Sequence, residues 1–145
     1  KEIFAVIGMV NARGESRTAG IVYVVNDKKL YISTGKDSWK ARHVRGNPHV
    51  SLTVPIAKRV PLMPWIKVPA ATITFSGKAR VYEPGEVDQE ILSALLQGME
   101  EDKEILSEIC VIEVQPQGDF VTYGVGVSLM QMRDPALARG RAPVR

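Results

Sequence analysis

The sequence predicts an antiparallel β-barrel with helices at its openings, and three observations indicate this fold class. Strand-sized runs of apolar and β-branched residues follow one another through short turns. The regular alternation of strand and helix that marks a parallel sheet is absent from the sequence. The stretches 38–46 and 86–98 have helical character. We therefore expect about six or seven strands and two or three helices.

The size and hydropathy of the chain are those of a single domain. Its 145 residues are 45% hydrophobic, which is sufficient for a substantial core. Every apolar run is strand-sized, so no segment is predicted to span a membrane. The opening residues look like a strand and not like a signal peptide, and we expect a cytoplasmic protein. We expect the domain to cover residues 1–127, with a tail over 128–145 that packs on the body or on a partner.

The first part of the chain contains three predicted strands. Residues 3–12 and 17–25 are rich in apolar and β-branched side chains, and the polar residues between them favour a hairpin turn. A second turn at 26–29 leads into the third strand, 30–34. After one short helix, residues 50–54 alternate polar and apolar side chains and predict a half-buried fourth strand.

Groups suited to binding a phosphate collect where the third strand passes into that helix. Asp37 or Ser38 is expected to cap the helix, because a side-chain oxygen there accepts a free backbone N–H of the first turn. The hydroxyls and cations that gather near this turn are Thr34, Ser38, Lys36, Lys40 and Arg42. They lie beside exposed backbone donors and the positive end of the helix dipole, which predicts a phosphate site.

The second half of the chain contains a proline-rich loop, a long strand, a helix and a hairpin. The loop, residues 55–69, is expected to pack over a barrel opening or a second subunit; a lid over a ligand and a membrane-surface contact are alternatives. Residues 71–82 are predicted to form a long strand, in which Gly77 indicates a bulge or a close backbone approach. An amphipathic helix is predicted over 86–98. The strands 109–114 and 120–127, joined by a turn at 115–119, are predicted to form the hairpin.

No familiar catalytic or metal-binding motif occurs in the sequence. Cys110 lies in an apolar stretch and is predicted to be a core residue. His43 and His49 are the only histidines, and no metal-binding spacing accompanies them. His43 is expected on the helix surface or stacked against Trp39, one turn earlier. We therefore predict neither a metal site nor a catalytic side chain.

The positive charge of the chain is concentrated in its first half. Residues 1–70 contain 12 Lys and Arg against 4 Asp and Glu, whereas residues 71–145 contain 7 against 12. A local basic patch suits one phosphorylated ligand or an anionic substrate, because nucleic acid usually requires a broader basic face with interleaved aromatics. Aromatic residues make up only 6% of the chain, so we expect no nucleic-acid partner.

The segment 20–54 resembles the flavin-binding split-barrel family typified by pyridoxamine 5′-phosphate oxidase and the general-stress-protein flavoproteins. The order and spacing of several short pieces carry this resemblance. They are Tyr23–Val25, Leu30–Thr34, Ser38–Ala41, Asn47–Leu52 and, after the proline-rich loop, Ser76–Val81. The similarity extends over most of residues 3–127 and implies a mainly β Greek-key split barrel.

The resemblance also implies a homodimer with FMN bound in a groove between the two barrels. Lys40 and Ser38 correspond to phosphate contacts, whereas Arg17 and Thr18 correspond to positions that line the isoalloxazine edge. The full set of cofactor-binding residues that we predict is Lys40, Ser38, Thr34, Arg17, Thr18, Lys36 and Ser33. Lys36, like Arg42, is otherwise expected to be a solvated charge near the site.

The function that this resemblance favours is that of an FMN-dependent oxidoreductase. The flavin would carry the chemistry, and a small-molecule substrate or electron donor would be the partner. The true pyridoxamine phosphate oxidases have a tryptophan in their C-terminal segment; none follows Gly126 here, so a vitamin B6 substrate is not expected. Two alternatives stay open: a flavin- or haem-binding carrier or sensor without turnover, and a reductase that uses a deazaflavin.

Overall fold

Eight strands and four α-helices form the part of the chain that the computed structural model describes, residues 3–59 and 68–145. The strands are β1 Phe4–Val10, β2 Ser16–Val22, β3 Val24–Asn26, β4 Lys29–Gly35, β5 His49–Ile56, β6 Ala71–Tyr82, β7 Ile109–Tyr123 and β8 Arg139–Pro143. The helices are α1 Trp39–Gly46, α2 Gln89–Leu96, α3 Lys103–Glu108 and α4 Pro135–Ala138, with single 3-10 turns at Pro84–Glu86 and Gln131–Arg133.

The strands form one antiparallel sheet that curls into a barrel. Their order is β2-β1-β5-β6-β7-β4-β3, and β8 pairs with β7. β2 and β3 lie at opposite edges of this order, yet Tyr23 alone separates them in the chain, so the two edges must come together. The backbone N–H of Tyr23 donates to the carbonyl of Ile3 over 3.2 Å and holds this junction against the start of β1. The predicted antiparallel split barrel is confirmed.

Alternate strand residues face the barrel interior and make its core. Val50, Leu52 and Val54 of β5 are buried between exposed or half-buried neighbours, which confirms the predicted period of two. α1 closes one end of the barrel by burying Ala41 and Val44. Each fully buried valine, leucine or isoleucine side chain contributes roughly 1.5–3 kcal/mol through removal from water. Other large side chains of the core are Ile7, Met9, Ile32, Ile112 and Val114.

The amphipathic helix predicted over 86–98 is confirmed as α2, although it is shorter than expected. Its residues Ile91 and Leu92 pack against Tyr31 of β4 and Val111 of β7, on the outside of the barrel. The helix ends at Gln97, whose φ of +51° is left-handed, a common way to stop a helix. In the described part of the chain, every helix is too short or too polar to cross a lipid bilayer.

The predicted hairpin over 109–127 is wrong, because β7 is one strand of 15 residues. β6 is long enough to pair with both halves of β7. The strand pairing between β6 and β7 therefore continues through the residues that were expected to form a turn. Thr74 pairs with Val121 and Ser76 with Gln117, which leaves two extra residues in β7. Gly118, at φ +74°, lies in this irregular stretch and accommodates the bend. The turn-forming residues therefore produce a bulge within a continuous strand.

The long strand β6 is where predicted, and its glycine has the predicted role. A Cβ at Gly77 would lie 2.7 Å from Val114 Cγ1 and 3.0 Å from the carbonyl oxygen of Gln115. Both atoms belong to β7, so Gly77 allows a close approach of the two backbones. The register irregularity itself lies next to it, between Thr74 and Ser76.

The C-terminal residues, expected as a tail, contain α4 and β8. Asp134 caps α4 by accepting the backbone N–H of Ala136 over 2.9 Å. β8 extends the sheet beside β7, with Arg141 opposite Val121. Tyr123 donates its hydroxyl to the carbonyl of Met132 over 2.7 Å, which fixes the connecting segment to β7.

The proline-rich loop predicted over 55–69 falls mostly outside the described residues, which exclude 60–67. Its expected packing, including that of Trp65, therefore stays a prediction. Its first two residues, Pro55 and Ile56, continue β5 and pair with β6.

Candidate functional site

The turn between β4 and α1 carries two hydroxyls in contact. Ser38 is the N-cap of α1, and its Oγ accepts the backbone N–H of Ala41 over 3.2 Å. Thr34 Oγ1 lies 3.2 Å from the same Ser38 oxygen and is largely buried. The backbone N–H of Ser38 donates to the carbonyl of Gly35 over 3.0 Å and tightens the turn. Ser38 is therefore the cap that the sequence predicted, and Thr34 is positioned by it.

Lys40 and Ser33 line one cavity of about 360 Å³, which we call the Lys40 cavity. Its walls come from the β2–β3 junction around Tyr23, from β4, and from the C-terminal end of α2 at Gln97. The Nζ of Lys40 lies 5.6 Å from the centre of the Trp39 ring, a cation–π contact. Within the described residues, no carboxylate lies within ion-pair distance of Lys40, so its charge is available to an anionic ligand.

Arg17 and Thr18 line a different groove, of about 400 Å³, on the outer face of the sheet. The groove also includes His49, Ser51 and Gln117 from neighbouring strands. Arg17 Nη2 is paired with Glu15 Oε2 over 3.1 Å, in an exposed ion pair. Arg17 and Gly20, which borders the Lys40 cavity, are three residues apart on β2, or roughly 10 Å in an extended strand.

Lys36 points away from the Lys40 cavity. Its Nζ lies 3.7 Å from Glu83 Oε2, and it borders a cavity formed with the segment after β6 and with α3. The backbone of Lys36 is fixed as well, because its N–H donates to Glu108 and its carbonyl accepts from Arg45, each over 2.9 Å. The seven predicted cofactor residues are thus distributed over three cavities and the helix cap.

The two other polar residues that line the Lys40 cavity, Tyr23 and Gln97, were not predicted. Tyr23 marks the break between β2 and β3, and Gln97 ends α2. The signal for Gln97 in the sequence is the following Gly98, which indicates a helix end but not where that end lies in space. The contribution of Tyr23 depends on the curling of the sheet, which local sequence does not encode.

A closed polar network lies farther along β4. The hydroxyl of Tyr31 donates to Glu113 Oε2 over 3.0 Å, and Lys29 Nζ donates to the same oxygen over 3.2 Å. Burial, together with the hydrogen bond and the negative charge of Glu113, raises the pKa of Tyr31 to about 12. Tyr31 therefore stays protonated at neutral pH and acts as a structural donor.

Two predictions about residues outside catalysis are confirmed. Cys110 is fully buried, and this burial raises the pKa of its thiol, so it remains a protonated core side chain. His43 lies beside Trp39, with ring centres 5.4 Å apart at an angle of 59°. Among the described residues, no group of three His, Cys, Asp or Glu side chains has the geometry to hold a metal ion.

Comparison with known proteins adds a family and a fold. A protein-family model described as pyridoxamine 5′-phosphate oxidase matches residues 1–118. No curated protein matches the chain at a significant level.

Several solved structures are similar to the chain. General stress protein 26 from Bacillus anthracis is 18% identical with a TM-score of 0.55, covering 85% of this chain and 84% of that one. An F420 reductase is 13% identical with a TM-score of 0.55, covering 81% and 88%. A haem-binding protein from Mycobacterium smegmatis is 15% identical with a TM-score of 0.66, covering 98% of this chain and 53% of its own. At such identities these similarities establish a common fold.

Proposed function

Because this chain belongs to the pyridoxamine 5′-phosphate oxidase family, we propose that it is an FMN-dependent oxidoreductase of that class. The observation that carries the proposal is the uncompensated charge of Lys40 in a cavity where the edges of the barrel meet. The other predicted cations of the cofactor site, Arg17 and Lys36, are paired with Glu15 and Glu83. Among the three predicted cofactor-binding cations, Lys40 is thus the one most ready to bind a phosphate.

The residues around Lys40 fit a phosphate chemically. Ser33 supplies a half-buried hydroxyl in the same cavity, and Ser38 lies two residues before Lys40 at the N-terminus of α1. Hydrogen bonds from charged donors to phosphate are the strong ones, and each contributes roughly 1.5–3 kcal/mol. The positive end of the helix dipole adds a smaller attraction for the same group. These residues would bind and orient the cofactor by its phosphate.

The groove with Arg17 and Thr18 is proposed to receive the flavin ring. FMN carries its phosphate and its isoalloxazine ring at opposite ends of a ribityl chain. The Lys40 cavity and the groove with Arg17 and Thr18 can therefore bind the same FMN molecule only if they lie some distance apart. Arg17 in the groove and Gly20 at the border of the Lys40 cavity lie roughly 10 Å apart along β2, which supports such a separation. When bound, the flavin supplies hydride or electron transfer, and the protein supplies binding and orientation.

We propose a homodimer for the same protein, supported by an apolar pair on the outer face of the barrel. Phe4 and Val22 are cross-strand partners on β1 and β2, and they are 46% and 58% exposed. The Phe4 ring lies over Gly20, where a Cβ would be only 2.9 Å from Cε2. Gly20 borders the Lys40 cavity. A second copy covering this pair would remove apolar surface from water next to the cofactor site.

Spectroscopy of the purified protein tests this function. We expect FMN to bind with quenching of its fluorescence, and NAD(P)H or another reductant to bleach the flavin band. Light scattering should give twice the mass of one chain. A protein that binds no FMN at micromolar concentrations, and whose purified form has no flavin absorption, would contradict the proposal.

The competing cofactors are separated by the same measurements. The similarity to an F420 reductase and to a haem-binding protein supports testing a deazaflavin and haem beside FMN. A deazaflavin has the same ring outline, so competition with FMN reports a common site. A Soret band would instead indicate haem, and it would favour a binding protein without turnover.

A further inference from the structure

A cavity of about 640 Å³ lies between the β1–β2 turn and the C-terminal half of α1. It includes none of the seven predicted cofactor-binding residues, but it does include Arg42, which was predicted to lie near the phosphate site. Its polar lining consists of Arg13, Arg42, His43, Asn11 and Asn47. No Asp or Glu lines it. We call it the Arg13–Arg42 cavity.

The two guanidinium groups of this cavity are uncompensated. Within residues 3–59 and 68–145, neither the Arg13 nor the Arg42 side chain has an ion-pair or hydrogen-bond partner. The carboxylate of Glu15, on the same turn, is already engaged by other side chains. It accepts from Asn11 Nδ2 over 2.7 Å and from Arg17 Nη2 over 3.1 Å. Two positive charges thus face one cavity without a neutralising partner.

The turn that carries Arg13 is already fixed in its shape. Asn11 Oδ1 accepts the backbone N–H groups of both Arg13 and Glu15 over 2.9 Å. The backbone N–H of Gly14 donates to the Asn11 carbonyl over 3.0 Å, and Gly14 has a φ of +77°. A fixed turn reduces the entropy lost when a ligand binds, so this arrangement favours binding.

The C-terminal end of α1 opposes an anion, but weakly. A helix C-terminus carries a partial charge of roughly −0.5, and it faces this side of the cavity. Part of it is satisfied, because the Asn47 N–H donates to the His43 carbonyl over 2.8 Å. Two full guanidinium charges outweigh this partial negative charge. Each guanidinium also presents paired N–H donors that can bind a phosphate or carboxylate in a bidentate way.

We propose that the Arg13–Arg42 cavity binds the oxyanion, a phosphate or carboxylate group, of the small-molecule substrate or electron donor. Val10 lines both this cavity and the groove with Arg17 and Thr18, so the two are adjacent. An anionic end held by the two arginines would direct the rest of the molecule towards the proposed flavin ring. This role in the reaction rests on the proposed function, whereas oxyanion binding itself does not.

Titration with two simple anions tests the site directly. Sodium pyrophosphate and sodium citrate are added separately to the purified protein, with and without FMN, while backbone amide shifts are followed by NMR. Ionic strength is kept constant with NaCl, because exposed charges are screened by salt. We expect shifts at Arg13, Gly14, Gly46 and Asn47. The anion with the higher affinity distinguishes a phosphate from a carboxylate ligand.

Variants separate this cavity from other cations. Arg13→Gln/Arg42→Gln should lower the anion affinity at least tenfold. Arg45→Gln is the matched control, since Arg45 lies on the same helix but donates to the Lys36 carbonyl outside the cavity. Lys40→Ala should leave these shifts unchanged. All the substituted side chains are exposed or half-buried, so the fold should be retained, which amide dispersion verifies.

The inference is overturned if the double variant binds the anions as tightly as the wild type, or if the shifts are confined to residues 35–40. If pyrophosphate binds as expected but FMN does not bind, the oxyanion site stands and the proposed function fails. If FMN binds but neither anion does, the proposed function stands and this inference fails.

Discussion

Two regions on β4 show how similar groups serve different purposes. Lys29 and Tyr31 form a closed network with Glu113, in which every charge has a partner within 3.2 Å. Ser33, on the same face of the strand, borders the Lys40 cavity instead, where the lysine has no carboxylate partner in the described part of the chain. The contrast arises from what the sheet places opposite each position. β7 brings Glu113 opposite Tyr31, but it places Val111 opposite Ser33.

This difference separates stability from binding. A satisfied network stabilises the fold and offers little to a ligand, because its donors and acceptors are already used. An uncompensated cation contributes little to the fold and keeps its full attraction for an anion. We therefore expect substitutions in the Glu113 network to change the free energy of unfolding, and substitutions of Lys40 to change cofactor affinity.

Removal of the Glu113 carboxylate should have the largest effect. Glu113→Ala leaves a buried tyrosine hydroxyl and a half-buried ammonium group without their acceptor, and the Glu113 side chain is only 14% exposed. We expect the free energy of unfolding to fall by about 2 kcal/mol, measured by urea denaturation. Glu101→Ala is the control, because this exposed carboxylate has no side-chain hydrogen bond or ion pair within the described residues. FMN affinity should change little in the folded variant. A large loss of FMN affinity without a loss of stability would contradict a purely structural role for the Glu113 network.

Lys40→Ala should weaken FMN binding by about tenfold or more, because it removes a charged phosphate contact. Stability should be retained, since the side chain is half-buried and has no ion-pair partner among the described residues. Fluorescence titration measures the affinity. Lys103→Ala, at the exposed start of α3, is the matched control and should bind FMN like the wild type. Equal FMN affinities of Lys40→Ala and Lys103→Ala would contradict the proposal that the Lys40 cavity binds the phosphate.

Alkaline pH should loosen the Glu113 network selectively. The folded pKa of Tyr31, about 12, is higher than its ordinary value of 10, so folding favours the protonated hydroxyl. The resulting stabilisation is complete below pH 10 and is lost as the pH rises towards 12. By pH 10.5 the loss should be on the order of 1 kcal/mol. Urea denaturation of the wild type and of Tyr31→Phe at pH 9 and pH 10.5 measures this loss of stability. The phenylalanine variant has no hydroxyl to ionise and should not show it. If the stability of both proteins depended on pH in the same way, Tyr31 would not be the source of the loss.

The sequence was sufficient for the local features of this fold. Neighbouring residues were enough to predict the capping of α1 by Ser38, the period of β5, the close backbone approach at Gly77 and the contact between the His43 and Trp39 rings. The hairpin predicted around Gly118 failed because the same turn-forming residues also suit a bulge. The length of β6, the partner strand of β7, decided between a hairpin turn and a bulge. The local sequence around Gly118 does not show which strand will pair with it.

The site could be predicted only in part for the same reason. Lys36 and Lys40 are four residues apart and look alike in the sequence, but Glu83 lies far along the chain and approaches only Lys36. The contribution of Tyr23 and Gln97 to the Lys40 cavity likewise depends on where the sheet edge and α2 end in space. Neutralisation of a charge is a tertiary property, and it decides which cations remain for a ligand.

Lys36→Ala should therefore have the smallest effect of these substitutions. Its ion pair with Glu83 spans 3.7 Å, and the two side chains are 36% and 58% exposed, so solvent screens most of the attraction. We expect a change in unfolding free energy of less than about 0.5 kcal/mol and an FMN affinity within about twofold of the wild type. The measurements are the same denaturation and fluorescence titrations used for Lys40→Ala. If Lys36→Ala weakened FMN binding as much as Lys40→Ala does, the phosphate would have to attract Lys36 away from Glu83. The two cavities would then act as one site.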